Sequence, residues 1–310
     1  MLRLAGIALT VFSFLAPTPA SAQVTLKFKY DTPGEYSVET VSRMNQTLTL
    51  SGMDLETGVE STERRKMSYG KRDGEGNVLL SVKTERVQTK MSLPGDLTIE
   101  FDSEADDESD DDPNLAPLFA LLRASAKLDV TFAMDDDAQI KSAAGVDKLL
   151  EKVPAELRRL LGDQFSEKSL IRNLQQQLDA VPKNAVKPGD FWDRSFVLDA
   201  GSGQLLTFQR RYEYVGTVEE DGKTLDKLGI TDTDIDFSIA ENSPLPIKLK
   251  ESDLEIESSQ GEMLFDRELG RDVKNSLKTR LTGSLTFEAN GQELPAELDL
   301  SIDITSAEVK

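Results

Sequence analysis

Polar and apolar residues alternate with a period of two over much of the chain, from Val24 to Met91 and again from Leu206 to Ile304. This alternation is typical of β-strands that bury one face and expose the other. Turn-forming residues such as Pro94-Gly95 separate the strand segments. The alternation is clearest near the C terminus, at Leu298, Leu300, Ile302 and Ile304. The pattern predicts a mainly β protein built on a large, strongly curved antiparallel sheet or half-barrel.

A helical period replaces the alternation in the middle of the chain, over residues 144–182. The clearest helix begins after Ser166, whose hydroxyl is suited to cap the first turn, with Glu167 beside it. One face of this helix carries the apolar residues Leu170, Ile171, Leu174, Leu178 and Val181. Because such a stripe must be covered, we expect the helical block to pack on the concave face of the sheet.

These patterns divide the chain into a leader at residues 1–22, an N-terminal β half at 23–143, the helical block at 144–182 and a C-terminal β half at 183–310. Within the first half, residues 102–112 contain eight carboxylates in eleven positions. Repulsion among these charges keeps such a segment in water, which predicts a mobile, acidic surface loop.

Short sequence echoes connect the two β halves. Phe101-Asp102 matches Phe265-Asp266, and residues 129–132 match residues 284–287. The extra spacing in the first half is close to the length of the acidic loop. We therefore predict two related halves, the first of which carries an acidic insertion.

Residues 1–22 have the pattern of a secretory signal peptide. Arg3 supplies the positive charge, an apolar run follows to Leu15, and small residues precede the expected cleavage after Ala22. This run is shorter than the roughly 20 residues that span a bilayer, and no later segment is apolar enough to do so. We expect a protein of the periplasm or the medium, with no transmembrane segment in the mature chain.

The formal net charge of −20 weighs against nucleic-acid partners. Binding to a phosphate backbone depends on lysine and arginine, and a negative surface repels DNA and anionic lipid headgroups. The chain also contains no histidine and no cysteine, which excludes disulfides, thiolate metal sites and the common Ser-His and Cys-His catalytic pairs. We therefore predict no catalytic, cofactor-binding or metal-binding residue and no enzymatic activity.

Carboxylate pairs remain as an alternative, since they support glycoside hydrolysis. The candidates are Asp232, Asp234 and Asp236 on one predicted strand, and Asp253, Glu255 and Glu257 on another. Both sets alternate with apolar residues, so we interpret each as the solvated face of a half-buried strand. The first set also has the spacing that begins a calcium loop, but Phe237 stands where that loop requires glycine.

Four methionines fall in the predicted strands of the first half: Met44, Met53, Met67 and Met91. Their flexible thioether side chains suit a cavity for an apolar ligand. An alternating strand needs an apolar face in any case, so we interpret them as core residues.

Several stretches together resemble a family of exported bacterial proteins known as domain of unknown function 6263. They are residues 44–50 (MNQTLTL), 101–103 (FDS), 164–167 (QFSE) and 186–192 (VKPGDFW). The resemblance implies β-rich secreted or lipid-anchored proteins with no assigned activity, so it implies no site residues. This chain lacks the lipoprotein cysteine that many members carry. Trp192 is expected to have a structural role, where the helices end.

Three functions remain open. The leading one is a non-enzymatic binding or envelope-associated protein that holds an apolar ligand between the sheet and the helices. The second is a structural or protein-interaction module that binds a basic partner through residues 102–112. The third is a carboxylate-based hydrolase. The sequence assigns no ligand-binding residue to the first of these.

Overall fold

The computed structural model describes residues 23–95, 97–105, 115–147, 166–241 and 243–309. The helices in these ranges are Ala116–Ser125 (α1) and Glu167–Leu178 (α2). The strands are Gly34–Leu50 (β1), Met53–Arg72 (β2), Val78–Leu93 (β3), Leu97–Asp102 (β4), Asp129–Met134 (β5), Ile140–Ala144 (β6), Phe191–Gly201 (β7), Gln204–Glu220 (β8), Lys223–Ile239 (β9), Lys248–Asp266 (β10), Arg271–Ala289 (β11) and Gln292–Val309 (β12).

The twelve strands form one antiparallel sheet. From edge to edge its order is β6, β5, β3, β2, β1, β12, β11, β10, β9, β8 and β7, and β4 pairs with β3 outside this series. The first and last of the described strands, β1 and β12, pair in the middle of the sheet, where their ladder runs from Ser37 opposite Val309 to Leu50 opposite Ala296. The sheet is curved and open, with β6 at one edge and β7 at the other.

Alternation puts the apolar side chains of every long strand on one face of the sheet, which we call the inner face. On β12 this face carries Leu298, Leu300 and Ile302. They belong to a cluster of buried strand residues, the strand core: Leu206, Phe208, Ile235, Phe237, Leu254, Leu281, Leu285, Phe287, Ala296, Leu298, Leu300 and Ile302. Because β8 and β9 share this cluster with β11 and β12, the sheet curves onto itself in this region.

Both described helices pack on the inner face. Phe119 of α1 is buried against Val87 of β3 and Phe101 of β4. Leu174 and Leu178 of α2 are buried in a second cluster, with residues of β3, β5 and β6. The helices therefore cover the inner face near β3 to β6, whereas the members of the strand core all come from strands.

Helix α2 also connects the two edges of the sheet. Gln175 Oε1 accepts the backbone N–H of Ile140 on β6 at 2.9 Å. On the other edge, the side-chain amide of Gln176 accepts the N–H of Val197 on β7 at 2.7 Å and donates to the carbonyl of Val197 at 3.2 Å. The amide of Gln176 thus forms both hydrogen bonds with the backbone of β7 that a neighbouring strand would form. These contacts protect edges that would otherwise be free to pair.

An extended segment, residues 23–33, crosses the sheet at the end where α2 lies; we call it the N-terminal strap. Val24 pairs with Val186 just before β7, and the N–H of Lys29 donates to the carbonyl of Gly270 between β10 and β11. Leu26 is buried among residues of β8 to β11. The strap ends against Gly70 of β2, where an added Cβ would lie 2.3 Å from the Cα of Pro33.

The structure confirms the mainly β fold, the curved antiparallel sheet and the helix after Ser166. The Ser166 hydroxyl accepts the N–H of Ser169 at 3.1 Å, as expected of a cap. The remaining helices predicted within 144–182 fall largely on residues 148–165, outside the described residues. The helical block as a whole is therefore not confirmed.

The two related halves are not confirmed either. Phe101 lies on β4, a six-residue strand that pairs with β3 outside the main series. Its counterpart Phe265 lies on β10, which pairs on both sides, with β9 and β11. The matched residues thus occupy different positions in the sheet, and alternation alone accounts for the echo.

The predicted acidic loop begins later than the sequence indicated. Asp102 ends β4 and accepts hydrogen bonds from Arg86 Nη2 at 2.7 Å and from Gln88 Nε2 at 2.9 Å. The Arg86 guanidinium, with the backbone N–H of Glu104, lowers the pKa of Asp102 to about 2. Residues 106–112 of the loop, and the predicted leader at 1–22, lie outside the described residues. None of the helices in the described ranges is long and apolar enough to cross a membrane.

Candidate functional site

Polar side chains form a band in two parts on the inner face, between apolar regions. On β8 to β11 it consists of Arg210, Asp232, Ser259 and Thr279. Asp232 accepts hydrogen bonds from Arg210 Nε at 2.7 Å and from Thr279 Oγ1 at 2.9 Å, and Thr279 contacts Ser259 at 3.1 Å. The Asp232 side chain is only 1% exposed and that of Arg210 only 11%. The Arg210–Asp232 ion pair is therefore buried, but each charge is balanced by the other.

A β-bulge puts Asp232 into this band. In the β8–β9 ladder Gln209 lies opposite Asp234 and Arg210 opposite Asp232, so Thr233 is an extra residue. The extra residue reverses the alternation, and Asp232 points inward while Asp234 and Asp236 are exposed. The prediction that all three share a solvated face was wrong for Asp232. The prediction for Asp253, Glu255 and Glu257 is confirmed, since all three are exposed on β10.

The second part of the band lies on β2 and β3, again beside a bulge. The two parts are not continuous, because Ile302 of β12 lies opposite Thr279 and Met44 of β1 lies opposite Ile302. Glu63 Oε2 accepts a hydrogen bond from Arg65 Nη2 at 2.6 Å, and Glu63 Oε1 accepts one from Thr84 Oγ1 at 3.1 Å. The bulge follows from an extra residue, Glu85, between the partners of Arg64 and Arg65. Arg65 remains 42% exposed, in contrast to the buried Arg210. The inner face is thus more accessible at β2 than at β8.

Beyond the band, toward the β1–β2 turn, the inner face passes from buried to exposed. Leu298 of β12 is buried, Leu48 opposite it on β1 is half-buried, and Leu55 opposite Leu48 on β2 is 37% exposed. The next row shows the same change. Ala296 is buried, Leu50 is half-buried, and Met53 is 66% exposed.

The neighbouring β3–β4 hairpin extends this apolar surface. Leu97 of β4 is 44% exposed and lies opposite Leu93 of β3, on the same face as the buried Ile99. We call the exposed and half-buried residues at this end of the sheet the open end: Leu48, Leu50, Met53, Leu55, Val59, Met91, Leu93 and Leu97. It is the candidate functional site, because soluble proteins seldom expose a continuous apolar surface without a use for it.

The methionines divide between core and open end. Met44 packs on the strand core, Met67 on the α2 cluster and Met91 on the α1 cluster. Met53 is largely exposed. The interpretation as core residues is therefore confirmed for three of them, of which the half-buried Met91 also borders the open end, and wrong for Met53. Alternation assigned Met53 to the correct face. It could not show, however, that this end of the face stays exposed in the described part of the chain.

A second concave region lies beside Trp192. The indole N–H of Trp192 donates to the carbonyl of Ala180 at 3.0 Å, just beyond α2, and its ring stacks on Tyr212. The predicted position of Trp192, where the helix ends, is thus confirmed. The adjoining cleft measures 570 Å³ and is lined by Pro182, Lys183, Asn184, Val186, Gly189, Asp190, Phe191, Trp192 and Arg194. Its charged lining is less suited to an apolar ligand than the open end.

The buried tyrosines are held in their neutral form. The Tyr214 hydroxyl donates to Asp226 at 2.8 Å within the sheet. Burial, together with this bond, raises the pKa of Tyr214 to about 12. Burial likewise raises the pKa of Tyr30, Tyr36 and Tyr212. These hydroxyls are packed polar groups of the core.

The predictions of no catalytic, cofactor-binding or metal-binding residue stay predictions. Within the described ranges, no three or more His, Cys, Asp or Glu side chains are arranged to hold a metal ion. The open end itself was missed at the sequence level. The signal available was a run of inward apolar residues that continues to the tips of two hairpins.

A family model described as "Family of unknown function (DUF6263)" matches residues 75–234. A search of curated proteins finds no match. Among solved structures, lipovitellin, from a study of its lipid–protein interactions, is similar with 11% identity and a TM-score of 0.41. The similarity covers 90% of this chain but 25% of lipovitellin, so the chain spans about a quarter of that protein.

Two bacterial proteins are similar over most of both chains. The COG4313 outer membrane channel from Pseudomonas putida F1 is 9% identical, with a TM-score of 0.23, 95% of this chain covered and 100% of that one. DynF, from the dynemicin biosynthesis pathway of Micromonospora chersina, is 8% identical, with a TM-score of 0.20 and coverage of 96% and 92%. Likeness at this level carries no argument about function.

Proposed function

Because the chain belongs to the DUF6263 family of unknown function, we propose a function from its geometry alone: it is a non-enzymatic binding protein for an uncharged apolar or amphiphilic ligand, which it holds at the open end of the inner face. Export to the periplasm or the medium, expected from residues 1–22, is part of this proposal.

The main support for the proposal is the change in burial along a row of inner-face residues that lie opposite one another on adjacent strands. Leu298, Leu48 and Leu55 are neighbours on three adjacent strands, yet they pass from 7% exposed to half-buried to 37% exposed. The sequence thus continues the apolar lining of the core onto a surface that water reaches. A bound apolar chain would continue the packing that these side chains begin.

The composition of the open end suits a ligand of variable shape. Met53 and Met91 are unbranched and polarizable, so they adapt to different apolar partners. The net charge of −20 disfavours an anionic ligand. An uncharged ligand is therefore the class that this surface fits best.

Binding of a neutral fluorescent probe, N-phenyl-1-naphthylamine, tests the proposal. The purified protein is expected to bind the probe, and the double variant Met53→Ser with Leu55→Ser to bind it at least tenfold more weakly, because two apolar contacts are lost. Val215→Ser is the matched control, since Val215 is also an exposed apolar residue, 49% exposed, but lies on β8. It is expected to bind as the unmodified protein does.

Two results would overturn the proposal. One is equal binding by the double variant and the unmodified protein. The other is self-association in gel filtration that the double variant abolishes, since the open end would then be an interface between copies. Unfolding in urea should be unchanged in the double variant, because exposed side chains contribute little to stability.

A further inference from the structure

The polar band on β2 offers hydrogen-bond donors without net charge, on the same face of the strand as the open end. Each carboxylate oxygen of Glu63 already accepts one hydrogen bond, one from Arg65 and one from Thr84. Arginine has five N–H donors. Among the described residues, the contacts of Arg65 engage Nη2, while its Nε–H is buried with no acceptor. Donors therefore exceed acceptors at this point of the inner face.

The charges of Glu63 and Arg65 limit which ligand groups can accept a hydrogen bond from these donors. The Arg65 charge is compensated by Glu63 at 2.6 Å, so a second carboxylate or a phosphate would add an unbalanced negative charge beside Glu63. An uncharged acceptor, such as an ester carbonyl oxygen, would satisfy a donor without that cost.

The separation along β2 fits a long chain. Because Arg65 Nη2 contacts Glu63, the guanidinium lies near the level of position 63 on the strand. Eight residues separate this level from Leu55, which corresponds to about 26 Å of extended strand. A ligand with its polar end at Arg65 and its tail over Val59 and Leu55 is therefore a long-chain molecule.

Resting on the proposed function, we infer that the ligand is a long-chain acyl ester whose carbonyl oxygen accepts a hydrogen bond from Arg65 while its chain lies along the inner face of β1 and β2 to the open end. The Glu63–Arg65 pair is then the selectivity element, and the apolar residues of the open end supply affinity.

The experiment compares a long-chain fatty acid methyl ester with the alkyl methyl ether of equal length, each displacing the fluorescent probe. The ester is expected to bind about tenfold more tightly, because only it offers a carbonyl acceptor to a charged donor. Equal affinity would overturn the inference and leave the proposed function standing. Failure of both compounds to bind would count against the proposed function itself.

A double variant, Glu63→Gln with Arg65→Met, removes the pair without changing the net charge. It should bind ester and ether equally, at the affinity of the unmodified protein for the ether. The matched control is Glu39→Gln with Arg64→Met, which removes an exposed pair joined at 3.0 Å between β1 and β2, on the opposite face of the sheet. It should keep the tenfold preference; retention of that preference by the first variant would overturn the inference.

Infrared spectroscopy gives a readout that needs no variant. The stretch of a ¹³C-labelled ester carbonyl is expected to move to lower wavenumber when the ester binds the unmodified protein, because a hydrogen bond weakens the C=O bond. A bound ester with the carbonyl frequency of an apolar solvent would overturn the inference.

Discussion

Replacing Asp232 by asparagine is expected to destabilise the protein by about 3–5 kcal/mol, the usual cost of removing one partner of a buried ion pair. The substitution keeps the shape of the side chain but leaves the charge of Arg210 uncompensated. The magnitude follows from burial, since the two side chains are 1% and 11% exposed and water cannot take over the lost contact. Asparagine can still accept from Thr279, which places the loss toward the lower end of the range.

The assay is equilibrium unfolding in urea, followed by the fluorescence of the single tryptophan, Trp192. Its ring stacks on Tyr212, two residues beyond Arg210 on β8, so it reports the region that is perturbed. Asp236→Asn on the same strand is the control. Because Asp236 is exposed, its variant should lie within about 0.5 kcal/mol of the unmodified protein.

A double replacement separates the cost of an unpaired charge from the value of the pair. Arg210→Met with Asp232→Val removes both charges and leaves Ser259 and Thr279 hydrogen bonded to each other. It should be more stable than Asp232→Asn alone, because apolar replacements of buried pairs are often neutral. A loss below about 1 kcal/mol for Asp232→Asn would refute the reasoning, since it would mean that water reaches the band at β8.

Three further predictions concern other parts of the chain. Asp102→Asn should be less stable than the unmodified protein at pH 7. The difference in stability should shrink as the pH falls from about 4 to about 2 and vanish below that, because the pKa of Asp102 is near 2 in the folded protein and higher in the unfolded protein. A pH-independent difference between the urea midpoints of the two proteins would contradict this. Gln176→Ala should expose the backbone of Val197 and promote association at high protein concentration in light scattering, whereas Gln177→Ala, at an exposed position of the same helix, should not. Four of the five tyrosines have a raised pKa. At pH about 10.5 the native protein should therefore show much less phenolate absorbance at about 295 nm than the unfolded protein. Equal absorbance of the two states would contradict this.

Local patterns in the sequence were sufficient for the strands, for the helix after Ser166 and, away from β-bulges, for the face that each strand buries. The alternation from Leu298 to Ile304 is reproduced on β12, and the cap at Ser166 begins α2. Both signals act over a few residues, so neither depends on what lies across the sheet. The position of Trp192 was expected from the resemblance to the DUF6263 family, and it lies just beyond α2.

Pairing between distant strands has no such local signal. The ladder between β1 and β12 joins the two ends of the described chain, and alternation is equally compatible with other partners. The bulge at Thr233 is also invisible to alternation, because a single extra residue reverses the face of everything on one side of it. That is why Asp232 was assigned to solvent although it lies in the core.

Alternation also failed to reveal the open end, because it does not show which part of a strand's apolar face is covered by other elements. Met53 and Leu55 satisfy the alternation rule, so the sequence describes them as core, but burial also depends on a second layer that covers them. Leu300 and Leu298 acquire that layer from β8 and β9, where the sheet curves onto itself. At β2 the strand continues the same apolar row beyond the region that the described residues cover. Side chains there contribute little to folding, and this is why we propose that their apolar character serves a ligand.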